Sequence, residues 1–478
     1  MKGVNMSDNS VLSRKPVLEI DRSALHAAVS DPVLESVTFL TEVMSKFPDA
    51  VSFAPGAPHE SFFDSVDIAR HIESYIEHLC REQGLTRVQA ERRLFQYGAT
   101  PGQINELVAQ ALRTDEGIDV VPEAVVVTVG CQEAIFITLR ALCATPQDVL
   151  VVANPCYVGV VGAARLLGIE IRGVDQPADG FDLAGLQRVC QGIRAEGKRP
   201  RALYLVPDFS NPSGARLDMD TRAALIEAAS DEDLLVLEDN PYGFTAAPGT
   251  ELPTLKALDQ NGRVVYLGTF AKVCLPGARV GFAVADQLVR GRRGEPRLLA
   301  AELAAIKSMV TVNTSPIGQA VIGGMLVESG GSLKAMIREK SEFYQRNLDL
   351  LLGALERHFP TDLRAREGIR WHAPEGGFFL VMTLPFTVDD ALLELSARDY
   401  GVLWTPMSHF FVGGTGGFRQ IRLSLSYLDA DQIEEGVARL SAFIGSRIET
   451  RYSLTSPFQL GAVENGVETR KCLPDPGR

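Results

Sequence analysis

From residue 121 onward the chain repeats one pattern: a short β-branched or aliphatic run, a breaker, then a stretch of helical period. The apolar runs cover 125–129, 149–153, 170–174, 202–206, 234–239, 263–272 and 280–285, and helical stretches fall at 130–144, 160–167, 183–193 and 219–230. Val125, Val126, Val127, Thr128 and Val129 form a continuous β-branched run, as expected of a strand buried on both faces. Strands joined through helices by short loops predict an α/β fold, a mostly parallel central sheet with helices on both faces. In such a sheet, ligands sit outside the carboxyl ends of the strands.

A smaller α+β domain is expected beyond the sheet. A long amphipathic helix over 332–358 leads to strands near 377–382 and 420–425 and helices over 388–400 and 429–444. Before the sheet, 27–44 and 68–80 are helical, 51–53 is a short strand, and Ala54-Pro55-Gly56-Ala57-Pro58 is a rigid turn that can bring backbone close to a ligand. The chain is therefore divided into an N-terminal segment contributing to the small domain (1–64), a large cofactor-binding domain (65–330), a C-terminal small domain (331–450) and a tail (451–478) expected to be loosely held.

Of the 478 residues, 47 are basic and 60 acidic, for a net charge of −13. That balance argues against a nucleic-acid partner. No apolar run approaches the ~18 residues of a membrane span, and the start lacks the apolar core of a signal peptide. The seven cysteines are scattered without a Cys-x-x-Cys pair, which fits reduced thiols in a cytoplasm and neither a disulfide framework nor a zinc site.

The strand over 263–272 ends on Lys272. Burial disfavours the charged form of an amine and makes it a nucleophile able to form a Schiff base. Asp239 ends another apolar strand, where a carboxylate is costly unless it meets a cation or donor, and a protonated pyridine nitrogen would be one. Glu238 alternates to the opposite face. Asn211 and Tyr242 could hydrogen-bond a phenolic oxygen on the same ring, and Tyr157 offers a face for stacking. Gly130-Cys131-Gln132 open a helix, whose free N–H groups favour an anion; Thr269 and Arg279 could add a hydroxyl and a permanent cation. Cys131 could be a reactive thiol there or a quiet small residue. Taken singly, each of these residues also has an ordinary reading in a turn, a core or on a wet surface. Together they describe a site for a phosphate-bearing pyridine.

The sequence resembles class I/II aminotransferases, the fold type I pyridoxal-phosphate enzymes of the aspartate aminotransferase superfamily, and within them the kynurenine/2-aminoadipate aminotransferase branch. The resemblance runs from about residue 51 to 444. It rests on Ser210-Asn211-Pro212-Ser213-Gly214, on Glu238-Asp239-Asn240-Pro241-Tyr242, and on Thr269-Phe270-Ala271-Lys272 followed by Arg279. Ala271 departs from the serine of many relatives. The resemblance implies pyridoxal 5'-phosphate as cofactor, Lys272 as the Schiff-base lysine, Asp239 at the pyridine nitrogen, and Asn211 and Tyr242 at the ring hydroxyl. It further implies a homodimer in which Tyr97 of one subunit reaches the other's phosphate. Arg422 would grip the α-carboxylate of an amino acid or 2-oxo acid substrate, with Gly56 beside it. Transamination is the expected reaction. A β-lyase, decarboxylase, cyclising enzyme or oxidase on the same scaffold is the alternative, since the cofactor carries the chemistry. A ligand-sensing regulator is the more distant one, for no basic helix-turn-helix precedes the core. Phe53, Phe62, Phe63, Phe410 and Phe411 are candidates for an apolar side-chain pocket, and the glycine-rich 413–417 for a loop near the substrate.

Overall fold

The computed structural model describes residues 18–177, 180–291 and 294–455. Asp31 accepts from the Val33 N–H to cap the helix Pro32–Lys46, with proline in the first turn, where its missing N–H costs nothing. The chain then forms β1 (Val51–Ser52). The central sheet follows: β2 (Val125–Val129), β3 (Asp148–Asn154), β4 (Glu170–Asp175), β5 (Arg199–Leu205), β6 (Leu235–Asp239), β7 (Val264–Thr269) and β8 (Val280–Val284). Their spatial order is β2-β8-β7-β6-β5-β3-β4. From β4 across to β7 every pair is parallel, and β8 runs antiparallel between β2 and β7.

Both faces of this sheet are buried. Tyr204 and Leu237 join one apolar core, while their chain neighbours Leu203 and Val236 join another on the opposite face. That is the two-residue period of a pleated strand applied to a sheet covered twice. Gly281 on β8 has no Cβ where one would lie 2.5 Å from the Cys131 nitrogen. The strand can thus pass directly under the start of the helix Gly130–Leu142.

A hairpin of β9 (Leu288–Val289) and β10 (Arg297–Leu298) precedes the helices Leu299–Val310 and Pro316–Glu328. Pro316–Glu328 packs along Ile68–Gln83 so closely that a Cβ on Gly324 would collide with the His71 backbone. Gly324→Ala should therefore force the two helices apart and cost ~1–3 kcal/mol, read as a lowered midpoint in thermal or urea unfolding. An unchanged midpoint would show that the pair can separate freely.

After the long helix Lys334–His358 come β11 (Arg370–Trp371), β12 (Phe379–Thr383), β13 (Val402–Leu403), β14 (Thr405–Pro406) and β15 (Gln420–Ser424). Four of these form an antiparallel sheet ordered β11-β12-β15-β14, and β13 pairs in parallel with β1. The last helix, Ala430–Thr455, extends beyond the expected end at 444 because its buried stripe continues through Ile444 to Ile448. Of the tail expected over 451–478, residues 456–478 lie outside the described residues, as does the lead-in 1–17.

Candidate active site

The carboxyl ends of the parallel strands converge on one cavity of about 290 Å³. Gly56, Cys131, Gln132, Tyr157, Asn211, Asp239, Tyr242, Thr269, Lys272 and Arg279 all line it. Lys272, three residues past β7, donates from Nζ to the Gly56 carbonyl at 2.6 Å. Burial, then the Arg279 and Arg422 charges, bring the amine down to about 8 from 10.5. Asp239 ends β6, and its oxygens accept from the Tyr204 hydroxyl at 2.6 Å and the Cys131 thiol at 3.5 Å. Burial raises its carboxyl to about 6 from 3.8, against the opposing pull of Tyr204, Cys131 and Lys272. Glu238 faces away and accepts from the Leu255 and Lys256 N–H groups at 2.8 and 2.7 Å, closing off the helical turn Leu255–Leu258.

The helix Gly130–Leu142 begins without a side-chain cap, so its first N–H groups are open to a ligand. Gly130 has φ 70, and a Cβ there would collide with the Arg279 guanidinium. Arg279 itself sits at φ 51, which costs a non-glycine residue on the order of 1 kcal/mol. That backbone turn brings the guanidinium over the helix start. Among the described residues Arg279 makes no ion pair. Thr269 adds a hydroxyl that accepts from the Ala271 N–H at 3.1 Å. An uncapped helix start, an unpaired guanidinium and a hydroxyl suit a phosphate. The Tyr157 ring, a buried carboxylate and an amine on the same lining suit a pyridine aldehyde. The donor set fits pyridoxal 5'-phosphate.

Arg422 lies on β15, 6 % exposed. It donates to Asn211 Oδ1 at 2.7 Å, to the Ala54 carbonyl at 2.6 Å and to Thr405 Oγ1 at 3.3 Å. Its guanidinium is stacked between Phe379 and Phe410, 4.4 and 4.8 Å from their ring centres. No carboxylate of the described residues pairs with it, and Nε has no partner. Burial lowers it to about 10 from 12.5. A buried cation without a counter-ion is costly unless an anion arrives.

The remaining candidates fall in different places. Cys131 is no thiolate: burial, then the nearby Asp239 charge, push its thiol well up, so it serves as a donor. Tyr97 is 85 % exposed and lines a separate surface groove with Arg92, Arg93 and Gln103. Phe53 is core, pressed under Gly436 of the last helix. Phe62 packs on Phe343 and Tyr344, and of the five phenylalanines Phe410 touches Arg422. Gly413–Gly417 carries positive φ at Gly413, Gly414 and Gly417 and folds over Phe411, away from the cavity lining. Tyr204 was not singled out from the sequence; a tyrosine in an otherwise aliphatic strand, beside the strand bearing Asp239, was the available signal.

Comparison with known proteins decides the family: the aminotransferase class I and II profile matches residues 72–440. The chain belongs to the aminotransferase class I and II family. It is accordingly a pyridoxal-phosphate-dependent transaminase of the fold type I architecture. It is 45% identical over 430 residues to the (S)-3,5-dihydroxyphenylglycine transaminase of Amycolatopsis orientalis, covering 90% of this chain and 96% of that protein. The 2-aminoadipate transaminase of Thermus thermophilus is 31% identical, over 83% of this chain and 90% of its own length. Among solved structures, the multiple substrate aminotransferase of Thermococcus profundus superposes with a TM-score of 0.74 at 27% identity, over 90% of this chain and 99% of that one.

Proposed function

We propose that Lys272 is the residue through which this class I/II aminotransferase holds its cofactor and moves the substrate's Cα proton, and that an aromatic amino acid is its donor. The buried Arg422 guanidinium, unpaired yet stacked and hydrogen-bonded beside Asn211, carries the reading: it awaits an α-carboxylate. When bound, the protonated pyridine ring supplies an electron sink for the charge left at Cα. Asp239 would hold the ring nitrogen, and Asn211 and Tyr242 would meet the ring hydroxyl. Arg279, Thr269 and the N–H groups of Cys131 and Gln132 would hold the phosphate, with Tyr157 against the ring. Lys272, as free base, would accept the Cα proton of the bound substrate and, once protonated, would be the acid of the site. The stacked Phe379 and Phe410 keep water from the Arg422 guanidinium, so its bidentate grip on the carboxylate is strong.

The amine reacts as its free base, so capture of pyridoxal phosphate by the apo chain should quicken with pH and level off near pH 8, not near 10.5. Stopped-flow absorbance measures this. A rate still rising steeply beyond pH 9 would contradict the lowered value.

An aromatic donor is supported by the dihydroxyphenylglycine transaminase relative and by the lining itself. Among the described residues the cations facing the cavity are Lys272 and Arg279, with Arg422 beside them, and each already has a task. None is left for a distal carboxylate. Arylglycines and aromatic amino acids should therefore exceed 2-aminoadipate in kcat/KM by about tenfold or more, as a lost ionic partner commonly costs. The test is a donor panel with pyruvate and 2-oxoglutarate as acceptors. Ammonia release, or oxo acid formed without an acceptor beyond the single equivalent per site of a first half-reaction, would overturn transamination of these donors in favour of a lyase or oxidase.

The same reading takes the enzyme as a cytoplasmic homodimer, with Tyr97 of each subunit reaching the other's phosphate and with the 1–64, 65–330, 331–450 and 451–478 division. Exposed Phe95, Tyr97, Met309 and Ile317, between 52% and 85% open in the single chain, support an interface. Among the described residues, no helix is long and apolar enough to cross a membrane.

A further inference from the structure

Tyr204 on β5 stands in parallel register with Leu237 on β6. Register partners share a face of the sheet, and Asp239, two residues past Leu237, returns to that face. Tyr204 and Asp239 therefore meet diagonally, with the hydroxyl donating to Asp239 Oδ2 at 2.6 Å. The Cys131 thiol reaches the other oxygen at 3.5 Å, from the start of a helix on the same side. Tyr204 is 0 % and Asp239 4 % exposed. The other titratable groups that sense this carboxylate are Lys272, Tyr157 and Tyr242.

We propose that Tyr204 is a positioning residue of the transamination site: with Cys131 it orients Asp239 and keeps the carboxylate's proton affinity below that of the ring nitrogen it faces. The proposal rests on Asp239 being that nitrogen's partner. A hydrogen bond to a charged carboxylate favours the charged form, whereas burial favours the neutral one. At Asp239 burial is the larger influence, and Tyr204 is the foremost of those opposing it. Burial drives the Tyr204 hydroxyl well above its usual range, so it stays a donor throughout. The Tyr157, Tyr242 and Cys131 groups are likewise pushed up and hold their protons at neutral pH. Without the phenol, only a weak thiol donor and the Lys272 charge would oppose burial. The shared proton would then settle on Asp239 and leave the ring neutral, a poorer electron sink.

Infrared difference spectra of the apo chain across pH, with Asp239→Asn as the reference, read the protonation of this carboxyl directly. The midpoint should lie at about 6 in the parent. In Tyr204→Phe it should rise by about one pH unit, and in Cys131→Ala by less. In the holoenzyme, Tyr204→Phe should lower kcat about tenfold with KM nearly unchanged, and should displace the pH titration of the cofactor's absorbance. A Tyr204→Phe chain that loses thermal stability but keeps the parent midpoint shows a packing residue and overturns the proposal. If Tyr204→Phe does not fold, an unmoved midpoint in Cys131→Ala overturns it instead. The midpoint is read without cofactor, so its failure is distinct from failure of the Asp239 assignment, which a fully active Asp239→Asn enzyme would reveal.

Discussion

Replacing Lys272 with alanine should abolish turnover, by on the order of 10⁴-fold or more, together with the absorbance of the covalently held cofactor. In the proposed role one amine both tethers the cofactor and moves the proton, and no neighbouring residue is placed to substitute for it. Tyr242 is held protonated by burial, and Cys131 likewise. Added small amines should restore part of the proton transfer but not the tether. A variant with full activity would remove Lys272 from the chemistry. Lys272→Met separates function from stability. Because the folded pKa of Lys272 is lowered from 10.5 to about 8, the folded chain binds fewer protons than the unfolded one between those values. Stability therefore rises as pH climbs from 8 to 10.5, and the penalty is fully present below 8. At neutral pH the apo Lys272→Met chain should be more stable than the parent by about 2–3 kcal/mol, a gain that fades by pH 10.5. Denaturant titrations at pH 7 and pH 10.5 check the sign.

Arg422→Met should lower kcat/KM for α-amino acids about 10³-fold, equivalent to ~4 kcal/mol. The guanidinium is dry, planar and held by Asn211, Ala54 and Thr405 between two phenyl rings, so it would meet a carboxylate preorganised. Arg422→Lys should recover little, since a single ammonium cannot span both carboxylate oxygens. The discriminating measurement compares an amino acid with the amine that lacks its carboxylate. The variant should lose discrimination between the two, with the slow reaction of the amine nearly unchanged. An equal loss on both would assign Arg422 to packing and leave the carboxylate site to be found elsewhere.

The strands of the central sheet were legible because each is a short apolar run closed by a breaker, and the helices between them because their periods stop; the end of the last helix, which runs past 444 to Thr455, was not. Preference for Asp239 over Glu238 followed from alternation, and the two carboxylates do face opposite ways. The antiparallel insertion of β8 between β2 and β7 was not legible, because a period of two shows which side chains share a face but not which strand lies alongside. The same limit hid the pairing of β1 with β13, some 350 residues later. It also hid the fate of Phe53, which looked available for a substrate pocket and is sealed under Gly436.

By itself, the sequence determined the chemistry on offer: an amine at a strand end, a carboxylate one strand away, an arginine flanked by aliphatics, and helix starts free to bind an anion. Those are properties of residue type and local period. Only the tertiary structure decided how these groups act on one another. The register of β5 against β6 sets Tyr204 on Asp239, the left-handed turn at Arg279 swings a guanidinium over Gly130, and two phenylalanines from separate segments enclose Arg422. The reason is physical. Burial and charge fix the proton affinities of Lys272, Asp239 and Arg422, and both depend on neighbours brought together from distant parts of the chain.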